Sequence, residues 1–340
     1  MYIVIAILGF SLLVIIHELG HFIMAKANGI KVEEFSVGMG PEVFSKKGEE
    51  TRYSLRLLPI GGFVSLLGEE VVIDDERSFS STSPVRKISI ILAGAIMNII
   101  FAVIVFSMII SYRGFNELKI SKLSENSPAI NSGLQINDEI LKIDGAKVYT
   151  PTDVTMSIQL SNGDPINLLV NRNGEKIEVS LTPELIENNG SKLYRIGFYY
   201  SAIKEPTIAQ AIKQSFRETF SLISQTFKSL KLIVLGNVNF KTDIGGPITI
   251  IRMSTQAAQN GLLSLGYLLG FISVNLAIFN LLPFPALDGG WAAVTIIELI
   301  IKRKLPDKFV GAANYVGFII LMGIMIIVTL KDLLFPIKLQ

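Results

Sequence analysis

"LLVIIHELGHFIMAKA" (residues 12–27) sets two histidines and a glutamate in the middle of an apolar run. An ionisable side chain at the centre of a membrane helix costs ~3 kcal/mol on insertion scales, so such groups mark function. The rest of the chain fits a bilayer. Its 340 residues are 50% hydrophobic and only 18% charged, too apolar for an ordinary soluble protein. A net charge of +2 gives no basic footprint for nucleic acid. Cysteine is absent, which excludes a disulfide framework and thiolate metal sites. Histidine occurs only as His17 and His21, both in the quoted stretch.

Four stretches reach the ~20 apolar residues that a membrane-spanning helix needs. They run from Tyr2 to Ala25, Ile88 to Tyr112, Gly261 to Leu282 and Phe309 to Leu330. The first lacks a basic leader and is too long for a signal-peptide core, so it reads as a retained span. Lys26, Lys31, Lys46, Lys47, Arg52, Arg56, Arg86 and Lys87 lie between spans one and two, and Lys302, Arg303, Lys304 and Lys308 between spans three and four. By the positive-inside rule both loops are cytoplasmic, and both termini and the segment between spans two and three face the other side.

That segment divides in two. Residues 115–200 read as a β-rich domain: "SPAINSGLQINDEILKIDGAKV" (127–148) carries turn-forming pairs between strand candidates, and "INLLVNRNGEKIEVSL" (166–181) alternates around Asn173-Gly174, a hairpin signal. This stretch resembles a PDZ domain. Residues 207–235 read as an amphipathic helix, with Ile208, Ile212, Phe216, Phe220, Ile223, Phe227 and Leu230 at spacings of three or four. Such a helix lies on a membrane surface or packs on a neighbouring domain.

His17-Glu18-Leu19-Gly20-His21 is an H-E-x-x-H sequence. Helix positions i and i+4 share a face, so both imidazoles can meet one ion, and the pattern binds zinc in metalloproteases with the glutamate as general base. A catalytic zinc takes three protein ligands and one water. With no third histidine and no cysteine, the third ligand is Asp or Glu, or else an amide or backbone oxygen. From Met253 to Ile297 the one formally charged residue is Asp288, in "NLLPFPALDGG" (280–290). Pro283, Pro285, Gly289 and Gly290 interrupt a helix there, and irregular backbone at membrane depth is tolerated where it lines a polar cavity. Asp288 as a plain helix N-cap is the alternative.

H-E-x-x-H in the first span with N-x-x-P-x-P-x-L-D-G-G in a later one resembles the site-2 protease family of intramembrane zinc proteases. The order of span, loop, span, PDZ-like domain and two spans resembles its bacterial RseP type with a single PDZ domain. The resemblance implies Zn2+ held by His17, His21 and Asp288, with Glu18 as base. It implies substrate contacts from Asn275 and Asn280, and a re-entrant β element in "YSLRLLPIGGFVSLLGEE" (53–70), whose exposed edge at Gly61-Gly62 would pair with an unwound substrate. Trp291 departs from the Arg or His that related chains carry after the glycine pair. Asn98, inside span two, reads as an amide bonding a neighbouring helix.

The expected fold is therefore an α-helical multi-pass membrane protein with four transmembrane helices, an inserted β-rich PDZ-like domain and a membrane-associated β-hairpin. Its expected parts are residues 1–112, 115–200, 207–257 and 258–340. The expected function is zinc-dependent endoproteolysis within transmembrane segments of single-span membrane proteins, of anti-sigma-factor or remnant-signal-peptide type. The resemblance sets it in the bacterial cytoplasmic (inner) membrane, with the site near the cytoplasmic side. The alternative is a membrane-anchored PDZ scaffold with a non-catalytic metal. A transporter would call for inverted repeats or paired broken helices, and neither stands out.

Overall fold

A computed structural model describes residues 2–69, 71, 73–188 and 191–337. The chain divides into two compact units: Met1–Ala102 with Leu230–Gln340, and Val103–Ser229.

In the first unit, α1 (Tyr2–Ala27) is followed by the paired strands β1 (Val32–Lys47) and β2 (Arg52–Leu66). The sequence reading saw one re-entrant element in residues 53–70; the partner of this segment is β1. Val37 pairs with both Leu55 and Gly62, so β2 folds back and its two halves flank the start of β1. Gly61, at φ +78°, supplies the backbone geometry for that reversal. Arg56 bonds Glu34 at 2.8 Å and Ser36 Oγ at 3.0 Å, which ties the strands side chain to side chain. Ser11 Oγ of α1 donates to Pro59 O at the tip of the fold. α2 (Pro84–Arg113) begins in this unit and runs on into the second.

The second unit is the β-rich one. It comprises β3 (Phe115–Leu123), α3 (Pro128–Asn131), β4 (Glu139–Ile143), β5 (Ala146–Lys147), α4 (Pro151–Leu160), β6 (Ile166–Arg172), β7 (Glu175–Leu181), β8 (Glu184–Asn188), β9 (Ser191–Arg195) and β10 (Phe198–Ile203). Most of α5 (Ile208–Val234) completes it. The main sheet has the order β10-β3-β4-β6-β7, with β5 beside β4. Alternation puts Ile166, Leu168 and Val170 of β6 in the core with Ile120, Ile140 and Val154. Asn173 and Gly174 both have positive φ, and Arg172 pairs with Glu175, so the expected two-residue hairpin turn is present. The Asp153 carboxylate accepts from Tyr149 N (2.8 Å), Thr150 N (3.2 Å), Ser221 Oγ (2.7 Å) and Gln225 Nε2 (3.0 Å). This buried charge is satisfied, and it fastens α5 to the start of α4.

The first unit resumes with the end of α5, α6 (Pro247–Gln259), α7 (Leu262–Leu281), α8 (Asp288–Ile301) and α9 (Asp307–Leu334). The Asp332 carboxylate of α9 accepts from Gly246 N and Thr249 N at the start of α6, at 3.0 and 2.8 Å, and Lys331 Nζ donates to Ile244 O. The Gly-Gly-Pro turn of residues 245–247 is thus anchored on α9. Among the described residues α1, α2, α7 and α9 are long and apolar enough to cross a membrane, as the sequence reading expects. α8 has 14 residues and is too short to span.

Candidate active site

α1 and α2 meet backbone to backbone where the motif lies. A Cβ on Gly20 would stand 2.7 Å from the carbonyl carbon of Ala93, so only glycine allows this approach. At the next residue of α2, a Cβ on Gly94 would stand 2.7 Å from His17 Nε2. Glycine at 20 brings the helices together; glycine at 94 clears the space in which the imidazoles sit.

The third element arrives through the broken segment. Helix α7 ends at Leu281 and α8 begins at Asp288, which takes the first helical position rather than the N-cap, held by Leu287. A carboxylate is favoured in a first turn by the exposed N–H groups there. Ala286 sits at φ +74°, a conformation unfavourable for a residue with a Cβ by ~1–2 kcal/mol. Its N–H donates to Asn314 Oδ1 of α9 at 3.1 Å. Pro285 packs on Gly317 of α9, where an added Cβ would lie 2.7 Å from the proline ring. A Cβ on Gly289 would lie 2.5 Å from Leu281 O, so the segment folds tightly on itself and aims Asp288 back toward α1.

His17 Nε2 lies 2.9 Å from Asp288 Oδ2 and 3.2 Å from His21 Nε2, and His21 Nε2 lies 3.5 Å from the same carboxylate oxygen. Four donors set tetrahedrally about zinc at ~2.0–2.1 Å stand ~3.3 Å apart. The three observed separations straddle that edge length. The donor set of two imidazoles and one carboxylate suits zinc and leaves a fourth position. The residues therefore fit the ion. His21 Nδ1 donates to Ile90 O of α2 at 2.8 Å, which leaves Nε2 as the nitrogen facing the cluster.

Glu18 lines a cavity of ≈ 680 Å³ with His21, Asp288 and Trp291. The cavity continues past Val64 and Leu66 to the charged groups Glu69, Lys87, Glu298 and Lys304. Gly62 brings the β2 backbone close to Glu18: a Cβ there would lie 3.9 Å from Glu18 Cγ and 2.6 Å from Ser36 O. Asn280 joins the cluster, its Nδ2 3.4 Å from His17 Nε2. Asn275, one turn earlier, donates to Phe271 O of its own helix. Asn98 bonds a neighbouring helix through its amide, as expected, but its partner was not foreseen: Nδ2 faces His17 Nδ1 of α1 at 3.2 Å. The available signal was its isolation as an amide in an uncharged span, four residues after Gly94.

Residues 5–324 match the family model for peptidase family M50. The chain belongs to that family. A Clostridium perfringens protein provisionally named a zinc metalloprotease is 49% identical over 337 residues, covering 99% of this chain and all of the relative. The regulator of sigma-W protease RasP of Bacillus subtilis is 28% identical, over 95% of this chain and 96% of its own. The Enterococcus faecalis protein eep, named as a protease, is 27% identical over 96% of this chain and 97% of its own. As an M50 peptidase the chain is a site-2-type metalloprotease acting within the membrane, and the expectation of an enzyme over a scaffold holds.

Proposed function

We propose that His17, His21 and Asp288 are the ligands of a catalytic zinc ion and that Glu18 is the general base of peptide-bond hydrolysis. The observation that carries this is the convergence of three possible ligand atoms, all within 4.8 Å of one another, from α1 and from the first residue of α8. When bound, the ion supplies Lewis acidity that lowers the pKa of water and polarises a carbonyl. Glu18, on the next position of the same helix, takes the proton of the attacking water and passes it to the leaving amine. Asn280, beside His17 in the cluster, contacts the substrate, and Asn275 extends that contact along α7.

The substrate is a transmembrane segment of a single-span protein, of the anti-sigma-factor or remnant-signal-peptide type. The name of the Bacillus subtilis relative, a protease regulating sigma-W, supports the first. A helical substrate hides its carbonyls, so it reaches Glu18 unwound. The folded-back half of β2 at Gly61 and Gly62 pairs with it as an added strand. The bond from Ser11 to Pro59 supports a membrane-associated hairpin: Ser11 lies six residues, ~9 Å of helix, before His17. Residues 115–200 form a PDZ-like domain outside the cytoplasm, flanked by the membrane regions 1–112 and 258–340 and the linker 207–257. The basic loops support a site near the cytoplasmic face of the bacterial inner membrane.

The test is Glu18→Gln in the full chain, with zinc content and cleavage of a single-span reporter measured together. One zinc per chain with cleavage abolished is the expected result. Retained turnover removes Glu18 as base, and loss of zinc makes it part of the ligand shell.

A further inference from the structure

From this geometry we infer that Asn98 is a positioning residue that fixes the protonated nitrogen of His17 when the metal is bound. The inference rests on the proposed zinc ligation.

A neutral imidazole carries one proton, and a ring that gives Nε2 to a metal carries it on Nδ1. That Nδ1–H needs an acceptor, since a buried donor without one costs ~1–3 kcal/mol. For His21 the acceptor is Ile90 O. For His17, which is 6% exposed, the group facing Nδ1 is the Asn98 amide, whose residue is fully buried.

Helix α2 thus serves both rings from one stripe. Ile90, Gly94 and Asn98 are spaced by four, so they share a face of the helix. Ile90 receives the His21 proton, Gly94 leaves room for both rings, and Asn98 meets His17. The stripe is held in register at Asn98 itself, whose backbone carbonyl accepts from Ser273 Oγ of α7 at 2.9 Å.

The amide is suited to its task because it is not yet committed. Its nitrogen faces His17 Nδ1, and its Oδ1 is the one buried side-chain polar atom among the described residues without a hydrogen-bond partner. Half a turn about the terminal torsion exchanges the two ends. The observed orientation leaves the oxygen end without a protein partner, so the proton on the ring decides which end faces it. With Nε2 facing Asp288 Oδ2 as a donor, Nδ1 accepts from the amide nitrogen. With Nε2 on the metal, Nδ1 donates and the amide oxygen turns to receive it. Asn98 is then the outer-shell acceptor that orients a ligand, a type of contact whose loss costs ~10–100-fold in metal affinity.

The experiment measures zinc affinity of the full-length, detergent-solubilised protein by competition with a chromophoric chelator. The variants are Asn98→Asp, Asn98→Leu and His17→Ala. Asparagine-to-aspartate keeps an acceptor of the same shape and removes the donor. The expected results are Asn98→Leu weakened ~10–100-fold, Asn98→Asp close to the parent, and His17→Ala weakened further. Nitrogen-15 NMR of the histidine-labelled, zinc-loaded parent should report the proton of His17 on Nδ1. Parent-like affinity in folded Asn98→Leu, or Asn98→Asp as weak as Asn98→Leu, overturns the inference. If Asn98→Leu does not fold, Asn98→Asp and the NMR tautomer still decide. Parent-like zinc binding by His17→Ala would instead overturn the ligand assignment beneath it.

Discussion

Gly94→Ala tests the geometry of the site with a single methyl group. The added Cβ would lie 2.4 Å from Nε2 of His21 and 2.7 Å from both Nε2 and Cε1 of His17, against the 3.4 Å at which ordinary contact begins. Something must therefore give by about 1 Å. Backbone cannot yield easily: α1 is held against α2 at Gly20, where the backbones already touch. The imidazole yields instead. A coordination bond tolerates ~0.2 Å, so the ring cannot move that far and keep its ligand position. Overpacking of a tight site costs ~1–3 kcal/mol, which as lost binding is ~5–150-fold in Kd. The assay is zinc competition with thermal unfolding of the chelated protein as control. Gly311→Ala and Gly323→Ala, where an added Cβ meets nothing within 4 Å, should leave zinc affinity unchanged. The reasoning fails if folded Gly94→Ala binds zinc as the parent does, since the clash would then be absorbed without moving a ligand.

Other expectations are more compact. Asp288→Asn should weaken zinc beyond the ~10–100-fold of an outer-shell loss, read by the same competition, because it alters a proposed ligand rather than its support. Gly62→Val drives a side chain toward Ser36 O and Glu18, so reporter cleavage should fall at least tenfold while zinc stoichiometry holds; equal loss of metal would mean that β2 supports the ligands themselves. In the β-rich unit, burial opposes the charge of Asp138, but bidentate bonds from Arg172 and the Gln135 N–H outweigh it and hold the carboxyl below its ordinary value. A depressed folded-state pKa contributes stability that is present above the unfolded value of ~3.9 and is lost as pH falls through the folded one. Hydrogen exchange of β4 and β6 in the full chain should therefore rise in the acid range, and Asp138→Asn should flatten that dependence. Lys331→Met leaves the buried Asp332 without its cation and should destabilise the detergent-solubilised protein by ~3–5 kcal/mol, seen as a lowered unfolding midpoint.

Much of this was legible in the linear chain. Local chemistry fixed it: a run of ~20 apolar residues has one stable form in a bilayer, a spacing of four puts His17 and His21 on one face, and Asn173-Gly174 selects its own turn. Asp288 stood out because no other formal charge occurs between Met253 and Ile297. The pairing of β2 with β1 was less legible, because alternation marks a strand without naming its partner. Asn98 was not legible as a neighbour of His17, since a lone amide in a span bonds whatever the packing brings to it. That contact, the clearance at Gly94 and the Ile90 carbonyl on His21 are products of two helices meeting at Gly20. Sequence determines which side chains can bind a metal or cross a membrane, because those properties belong to residues and short spacings. Tertiary structure alone decides which helix face meets the two imidazoles, because the distance between residues 17 and 98 is set by how the two helices cross near Gly20.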